Sequence, residues 1–374
     1  MENNPFLISG YISPEYFCDR GKETEIVSEA IRNGRHLTIF SPRRIGKTGL
    51  IKHVFYTGKK MKSFIPVYTD ILATSTLRDF TENFGRAVLS ALAANESAIK
   101  KILKNLAAIR PKAGIDPISG EPYISLTVSN DKEAAYSLEV LFGYLQDRKE
   151  HFVIAIDEFQ QVVNYPGKNV EAVLRTYIQQ TSNISMVFSG SRKHILTGIF
   201  FSPDRPFYNS TQFMELGKID NNKYKDFITG NFEKGGIKTE LPAIDLILDV
   251  TSGHTFYVQF LCNRLFSNQK KVIVDEVNKM LLRIINENEA VYASYITLLT
   301  PLQFRILRAI AINGGIQNPT SSDFLSLYDL GAASSVSLAV KSLQDKEFID
   351  LENGKYILND LFLNFWLKYR AGSL

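Results

Sequence analysis

The stretch from Leu37 to Leu50 constrains the fold and the chemistry of this chain more than any other. It begins with a short apolar run typical of a β-strand, turns at Gly46-Lys47-Thr48, and enters a helix near Gly49. In such a strand–turn–helix segment, backbone N–H groups point toward an anion, which predicts a phosphate-binding P-loop. We expect Lys47 to contact the outer phosphates of ATP and the Thr48 hydroxyl to ligate Mg²⁺.

One loop position departs from the P-loop pattern GxxxxGK(S/T), because Ser41 stands where the pattern has its first glycine. That glycine eases a tight turn, so we expect the serine to affect the geometry of the loop more than its chemistry. The loop residues predicted to contact the nucleotide are Pro42, Arg43, Arg44, Ile45, Gly46, Lys47, Thr48 and Gly49.

A second signal lies about a hundred residues downstream, where the nearly continuous apolar run Phe152–Ile156 ends in Asp157-Glu158. Such a run is typical of a strand buried on both faces, and an acidic pair at its end is the Walker B arrangement. We expect Asp157 to hold Mg²⁺, directly or through water, and Glu158 to orient or deprotonate the attacking water. The alternative is an ordinary strand end that meets solvent.

Two further groups lie near the same predicted rim. The apolar run Ile184–Gly190 ends in small polar residues, so Ser189 or Ser191 is a candidate sensor of the terminal phosphate; a plain turn is the alternative. Arg192 and Arg205 are basic residues near that rim. Either could neutralise charge during phosphoryl transfer, and Arg205 is the one that we name as a catalytic candidate, although an arginine in a loop is more often a solvated surface residue.

The segment upstream of the loop supplies two more candidate nucleotide contacts. Phe17 is predicted to stack on the base, and Arg20 to close over it beside Asp19. The alternative for Phe17 is an ordinary place in the hydrophobic core.

Predicted strands alternate with predicted helices through the first part of the chain, which indicates an α/β fold. We expect a three-layer P-loop NTPase core with a parallel sheet over residues 1–217, interrupted by a hairpin insertion at about 110–129. Residues 218–292 are predicted to form a helical lid. It contains His254, a candidate nucleotide contact, although a lone histidine is more often structural.

Residues 293–374 are predicted to form a winged-helix domain, with three helices before a hairpin that turns at Asn353-Gly354. From residue 300 onward this domain holds seven Lys or Arg and seven Asp or Glu, so DNA is a possible partner but not a favoured one. We expect the domain to fold back on the ATPase core or to meet a protein partner, burying Phe362, Phe365 and Trp366.

Composition and charge limit the class of protein and the cellular location that we expect. The net charge of +4 is undiagnostic, and two cysteines far apart in the sequence indicate neither a disulfide framework nor a cysteine metal cluster. No apolar run approaches the length of a membrane span, and the first ten residues do not resemble a signal peptide. We therefore expect a soluble, cytoplasmic protein without a membrane partner.

Taken together, these motifs resemble the prokaryotic Walker-type ATPases of the AAA+/STAND group, the archaeal ATPase family. The resemblance implies a nucleotide-binding core, a helical lid and a winged-helix domain. It also implies relatedness to origin-recognition ATPases that encircle DNA and to STAND signalling switches. Two positions depart from the family, Ser41 and Thr255, the latter standing where many relatives have proline. The matching segments are Asn4–Phe6, Phe17–Arg20, Pro42–Thr48, Asp116–Pro122, Ile156–Phe159, Ser189–Ser191 and Gly253-His254.

Three hypotheses about function follow. The leading one is a regulatory switch that binds ATP and Mg²⁺ and hydrolyses ATP slowly, working with an unidentified protein partner or by self-association. The second is a DNA-binding ATPase, a clamp or loader that uses the winged helix. The third is a non-catalytic, nucleotide-gated scaffold, which is favoured if Ser41 distorts the loop.

Overall fold

The computed structural model of the protein describes residues 4–93, 102, 110–115, 122–167, 170–268 and 270–372. The chain divides into two compact units. Residues 9–219 form one unit, and residues 220–374 form the other together with the N-terminal segment 1–8. This division is coarser than the three predicted domains, whose boundaries stay a prediction.

The first unit alternates helices and strands, as the sequence predicts. Its strands are β1 (Leu37–Phe40), β2 (Ile65–Asp70), β3 (Arg110–Ile115), β4 (Pro122–Thr127), β5 (Phe152–Asp157), β6 (Ile184–Gly190) and β7 (Gln212–Glu215). Its α-helices are α1 (Gly21–Arg32), α2 (Lys47–Lys60), α3 (Leu77–Ala91), α4 (Asp131–Gln146), α5 (Val170–Gln180) and α6 (Lys193–Phe201). Short 3₁₀ helices span Pro14–Tyr16 and Phe159–Asn164.

Five strands form one parallel sheet in the order β2-β5-β6-β1-β7. The register pairs Asp70 with Asp157 and Ile39 with Ser189. Because parallel strands end at the same edge, the polar residues that follow β1, β5 and β6 meet there. The predicted three-layer α/β fold with a parallel sheet is confirmed.

Each face of the sheet is covered by helices because the central strands are apolar on both sides. In β5, Val153 and Ala155 join a cluster with α1 and α2, whereas Ile154 and Ile156 join a second cluster with α3 to α6. All six residues of β5 are buried. This burial on both faces holds the end of β5, and therefore Asp157, in a fixed place.

The hairpin predicted within the insertion is present, since β3 and β4 pair antiparallel. Leu126 of β4 packs into the core cluster beside α3, where its side chain occupies the space left by Gly85. The centre of the Asp116–Pro122 motif, residues 116–121, lies outside the described residues.

The second unit is mainly helical over its described residues. Its helices are α7 (Asn221–Lys234), α8 (Leu241–Val250), α9 (Thr255–Asn268), α10 (Val274–Glu287), α11 (Glu289–Leu298), α12 (Pro301–Asn313), α13 (Ser322–Leu327), α14 (Ala333–Asp345) and α15 (Leu361–Arg370). The strands β8 (Lys238–Thr239) and β9 (Lys271–Val272) pair parallel, and β10 (Ile349–Glu352) and β11 (Lys355–Leu358) pair antiparallel.

The N-terminal segment belongs to this helical unit through Asn4 and Phe6. The Phe6 ring is fully buried, with its centroid 4.8 Å from that of Phe232. Asn4 Nδ2 donates to the carbonyl oxygen of Asn263 at 2.9 Å, and Asn263 Nδ2 donates to the carbonyl oxygen of Phe6 at 2.7 Å. A segment early in the sequence thus completes a core built from residues more than two hundred positions later.

The winged-helix prediction is confirmed, including its turn, where Asn353 and Gly354 both have positive φ as a type I′ turn requires. Helix α15 closes this domain and packs on helices of the predicted lid. Phe362 contacts Tyr257 of α9 with ring centroids 5.1 Å apart, and the fully buried Trp366 donates from its indole N–H to Glu289.

The aromatic side chains of α15 are therefore covered inside this unit. Phe362 and Trp366 are buried and Phe365 is half-buried. The expectation that they meet the ATPase core or a second protein was wrong for Phe362 and Trp366, because α9 and α11 supply their partners.

Candidate nucleotide-binding site

The loop between β1 and α2 folds as a tight turn with two residues in the left-handed region. Gly46 has φ 109°, and Arg44 has φ 68°. Ser41 is not among the positive-φ residues, so the backbone at that position suits a serine as well as a glycine. Helix α2 begins at Lys47, two residues earlier than predicted, and its first N–H groups border the loop.

Lys47 is buried to 6% exposure, and its ammonium donates to oxygens of its own loop. The acceptors of Lys47 Nζ are the carbonyl oxygens of Ser41 at 3.0 Å and Pro42 at 3.3 Å, with Ser41 Oγ at 3.4 Å. Burial lowers the pKa of Lys47, while the charges of Glu158 and Asp157 oppose that shift. A buried ammonium held by neutral oxygens can exchange them for phosphate oxygens, so this arrangement fits a phosphate group.

Arg20 donates a hydrogen bond to the backbone of the loop. Its guanidinium is nearly fully buried and donates to the carbonyl oxygens of Ile45 at 3.0 Å and Gly217 at 2.6 Å. Glu23, three residues later, forms an ion pair with it at 3.0 Å. The structure thus gives Arg20 a bond to the loop backbone; direct contact with a nucleotide stays a prediction.

Asp157 lies at the centre of the site and accepts four hydrogen bonds. Its Oδ2 accepts from Thr48 Oγ1 at 2.6 Å and from the Tyr68 hydroxyl at 3.0 Å. Its Oδ1 accepts from Ser189 Oγ at 2.5 Å and from the backbone N–H of Glu158 at 3.0 Å. The predicted metal pair, Thr48 and Asp157, is therefore brought together, and Ser189 joins it.

Glu158 lies beside this carboxylate in the left-handed region, with φ 58°. Its Oε2 accepts hydrogen bonds from the Gln160 side-chain amide and, at 3.3 Å, from Ser191 Oγ. Gly190 lies next to the side chain of Gln160, and a Cβ added at Gly190 would overlap Gln160 Oε1. Gln160 and Ser191 together hold the carboxylate that the sequence assigns to water activation.

Phe17 lies in an aromatic group next to α2. Its ring stacks on the imidazole of His53, with centroids 4.2 Å apart and planes 13° from parallel, and Tyr11 donates to or accepts from His53 Nδ1 at 2.9 Å. Gly49 borders the same ring, since a Cβ there would lie 3.6 Å from Phe17. One face of Phe17 is thus occupied by His53, and stacking of this ring on a base stays a prediction.

The remaining candidate residues are Arg205, Arg43, Arg44 and His254. Arg205 forms an ion pair with the buried Glu171. Burial raises the pKa of Glu171, although the charge of Arg205 opposes that shift. Arg43 and Arg44 are exposed on the loop, and His254 lies in the helical unit, mostly buried near Tyr257. Their proposed roles stay predictions.

The geometry fits Mg²⁺ as well as phosphate. A hydroxyl and a carboxylate 2.6 Å apart at a P-loop are the hard oxygen donors that this ion prefers. Sequence reasoning missed Tyr68, Gln160 and the bond from Arg20 to the loop. In the sequence, the strand-like pattern at Ile65–Asp70 indicates only that the side chain of Tyr68 lies on the face opposite those of Val67 and Thr69.

The chain matches two family models. Residues 17–259 match an ATPase domain described as predominantly from Archaea, and residues 290–369 match a probable winged-helix domain. Among curated proteins, no sequence matches this chain. No helix among the described residues has both the length and the apolar character needed to cross a membrane.

Solved structures share the fold along nearly the whole chain. The Walker-type ATPase PABY2304 of Pyrococcus abyssi is 16% identical with a TM-score of 0.63, covering 97% of this chain and 99% of its own. The ORC2 protein of Aeropyrum pernix, in ADPNP–ADP complexes, is 14% identical with a TM-score of 0.55, covering 99% of each chain. The ORC1 protein of the same organism, in complex with DNA, is 13% identical with a TM-score of 0.54, covering 99% of this chain and 97% of its own.

Proposed function

Since this chain belongs to the ATPase family whose domain is described as predominantly from Archaea, we propose that it is a regulatory switch of the AAA+/STAND type. It binds ATP with Mg²⁺ and hydrolyses the nucleotide slowly. The observation that carries this proposal is the 2.6 Å hydrogen bond from Thr48 to Asp157, next to the buried ammonium of Lys47. A cation, a hydroxyl and a carboxylate converge there at the carboxyl edge of the sheet.

In the proposed mechanism, Lys47 exchanges its loop oxygens for oxygens of the outer phosphates. The N–H groups at the start of α2 and the turn at Gly46 complete the anion site. Mg²⁺, when bound, would neutralise phosphate charge next to Thr48 and Asp157. Ser189 orients the Asp157 carboxylate from the other side through its 2.5 Å bond.

Slow hydrolysis is supported by the contacts of Glu158. A general base must be able to accept a proton from the attacking water. One oxygen of this carboxylate is already engaged by Gln160 and Ser191. Releasing Glu158 from these donors would raise the rate, which gives a regulated ATPase a means of control.

The exposed face of α14, the predicted recognition helix, favours a switch that binds a protein over a clamp that binds DNA. Its exposed residues include Ser334, Ser335, Ser337 and Lys341, with Leu338 72% exposed. Such a face offers few charges for phosphates, and the whole domain from residue 300 has no formal net charge. An unidentified protein partner or a second copy of this chain is therefore the proposed target.

DNA binding is retained as a second candidate because the structurally similar ORC1 protein is in complex with DNA. The third hypothesis, a non-catalytic scaffold, depended on a loop distorted at Ser41. The backbone at Ser41 lies outside the left-handed region, and its N–H donates to the carbonyl oxygen of Gly190 at 3.4 Å. The serine is accommodated, which disfavours the scaffold.

The decisive experiment is calorimetry of Mg²⁺-ATP binding to the wild type and to Lys47→Ala. We expect binding to be lost in the variant, because the phosphates would face no buried cation. Lys60→Ala, at the exposed end of the same helix, is the matched control and should bind as the wild type does. Equal affinity in the wild type and Lys47→Ala would refute the site.

A further inference from the structure

The Tyr68 side chain makes a contact with the candidate metal site that no sequence motif indicates. Its hydroxyl donates to Asp157 Oδ2 at 3.0 Å, next to the 2.6 Å bond from Thr48 Oγ1 to the same oxygen. A carboxylate oxygen offers about two acceptor positions. Both positions of Oδ2 are therefore filled by hydroxyl groups from two different elements, β2 and α2.

The other carboxylate oxygen is filled in the same way, by Ser189 and the N–H of Glu158. With all four positions engaged, Asp157 cannot rotate without breaking a bond. Of the four donors, Tyr68 is the one that lies on β2, the strand that pairs with β5 on the side opposite β6. The register places it beside Ala155, two residues before Asp157, so the phenol reaches across the sheet edge to the carboxylate.

The ring of Tyr68 is itself held in place. It packs on the apolar cluster shared by α1, α2 and the sheet. The ammonium of Lys52, on α2, lies 5.2 Å from the centroid of the ring, within the range of a cation–π interaction. The phenol is thus a fixed donor, not a mobile surface group.

We propose that Tyr68 is a positioning residue for the metal site, holding the Asp157 carboxylate in the orientation in which it accepts from Thr48, the hydroxyl that would ligate Mg²⁺. With its acceptor positions filled, Asp157 would act on the ion through Thr48 or through water. This inference rests on the proposed function, since it needs a nucleotide–metal complex at the P-loop. Groups that orient metal ligands in this way strongly affect metal affinity. The role predicts a defect confined to the metal-dependent part of nucleotide binding.

The test is calorimetry of ATP binding to the full chain, first in EDTA and then at a series of Mg²⁺ concentrations. Tyr68→Phe keeps the ring and removes only the hydroxyl. In EDTA, we expect its affinity for ATP to equal that of the wild type. The Mg²⁺ concentration that gives half of the affinity gain should rise about fivefold, as expected for the loss of one hydrogen bond.

Tyr177→Phe is the matched control, because its ring stacks on Phe142 in the core of the same unit and its change should alter neither measurement. An unchanged Mg²⁺ response in Tyr68→Phe would overturn the positioning role and leave the proposed function intact. A loss of ATP affinity in EDTA would also overturn it, since the defect would then lie in the fold or the loop. Wild-type binding that is absent or indifferent to Mg²⁺ would contradict the proposed function itself.

Discussion

The side-chain oxygen of Gln160 lies directly against the α-carbon of Gly190, so that any Cβ at residue 190 would overlap it. The φ of Gly190 is not positive, which means that the glycine is needed for space and not for a special backbone conformation. Because residue 190 has no side chain, the Gln160 amide can lie there and donate hydrogen bonds to Glu158 Oε2 and Ser191 Oγ. A small residue at the end of β6 thus controls the surroundings of the carboxylate assigned to water activation.

Replacing Gly190 by alanine should therefore be destabilising. We expect Gly190→Ala to cost about 1–3 kcal/mol of unfolding free energy, because the site is tightly packed. Gly198→Ala is the control, since nothing lies within 4 Å of its added Cβ in α6, and it should stabilise by up to about 1 kcal/mol. Urea unfolding measures both, and similar midpoints for the two variants would contradict the packing argument.

Gln160→Ala should raise the basal rate of ATP hydrolysis. The change removes the amide that engages Glu158 Oε2, so the carboxylate is more often able to accept a proton from water. We expect an increase in kcat of about fivefold, the worth of one hydrogen bond. Phosphate release measures it, with Gln161→Ala, which bonds to the carbonyl of Thr74, as the control. A lower rate would show that Gln160 supports catalysis instead.

Glu158→Gln should separate binding from turnover. The variant keeps the shape of the side chain but cannot accept the proton, so ATP should still bind while kcat falls by about 10²- to 10⁴-fold. Single-turnover hydrolysis with equilibrium binding distinguishes the two effects. If this variant hydrolyses ATP at the wild-type rate, another group is the base.

The stability of the first unit should fall as the pH drops below about 6.5. Burial lowers the pKa values of His36, His53 and His151, with the charge of Arg175 also acting on His36. The unfolded chain then binds more protons than the folded one, so the free energy of unfolding rises with pH in this window. Each histidine contributes at most about 1.4 kcal/mol per pH unit.

His36 offers the specific check on that pH dependence, because its Nδ1 accepts the backbone N–H of Met186 at 3.1 Å. His36→Asn retains an acceptor there but does not titrate. The change in melting temperature between pH 7.5 and 5.5 should be smaller in the variant than in the wild type. An identical pH dependence would exclude His36 as a contributor.

DNA affinity should be weak and only slightly salt-dependent. Six phosphate contacts would give a slope of about −5 in a plot of log affinity against log salt, and the winged helix has too few unopposed charges for that. Fluorescence anisotropy with duplex DNA, with and without ATP, measures the slope. A steep slope that is lost on changing Lys341 and Lys355 to glutamate would favour the DNA clamp over the switch.

The features predicted correctly are those that depend on local sequence. The apolar run ending at Asp157 and the turn before Lys47 each carry their own pattern, and a parallel sheet then requires their ends to meet. The bond between Thr48 and Asp157 follows from that topology. The contacts of Tyr68 could not be predicted in this way, because they depend on the register of two strands and on the direction of one phenol.

Packing over long sequence distances was also beyond prediction. The stacking of Phe17 on His53 and the covering of Trp366 by α11 depend on which apolar faces meet, and many pairings satisfy the same hydrophobic pattern. The expected partners of α15 were wrong for this reason. An apolar helix face indicates that a partner exists but does not say which element supplies it.

The placement of Asn4 and Phe6 in the core of the helical unit has a practical consequence for anyone who divides this protein into parts. An expression boundary at residue 9 would delete a buried phenylalanine from a unit whose other residues begin at 220. A fragment of residues 220–374 alone would lack that side chain and both Asn263 bonds. An independent helical unit would therefore need residues 4–8 restored through a covalent linker, as in a circularly permuted chain.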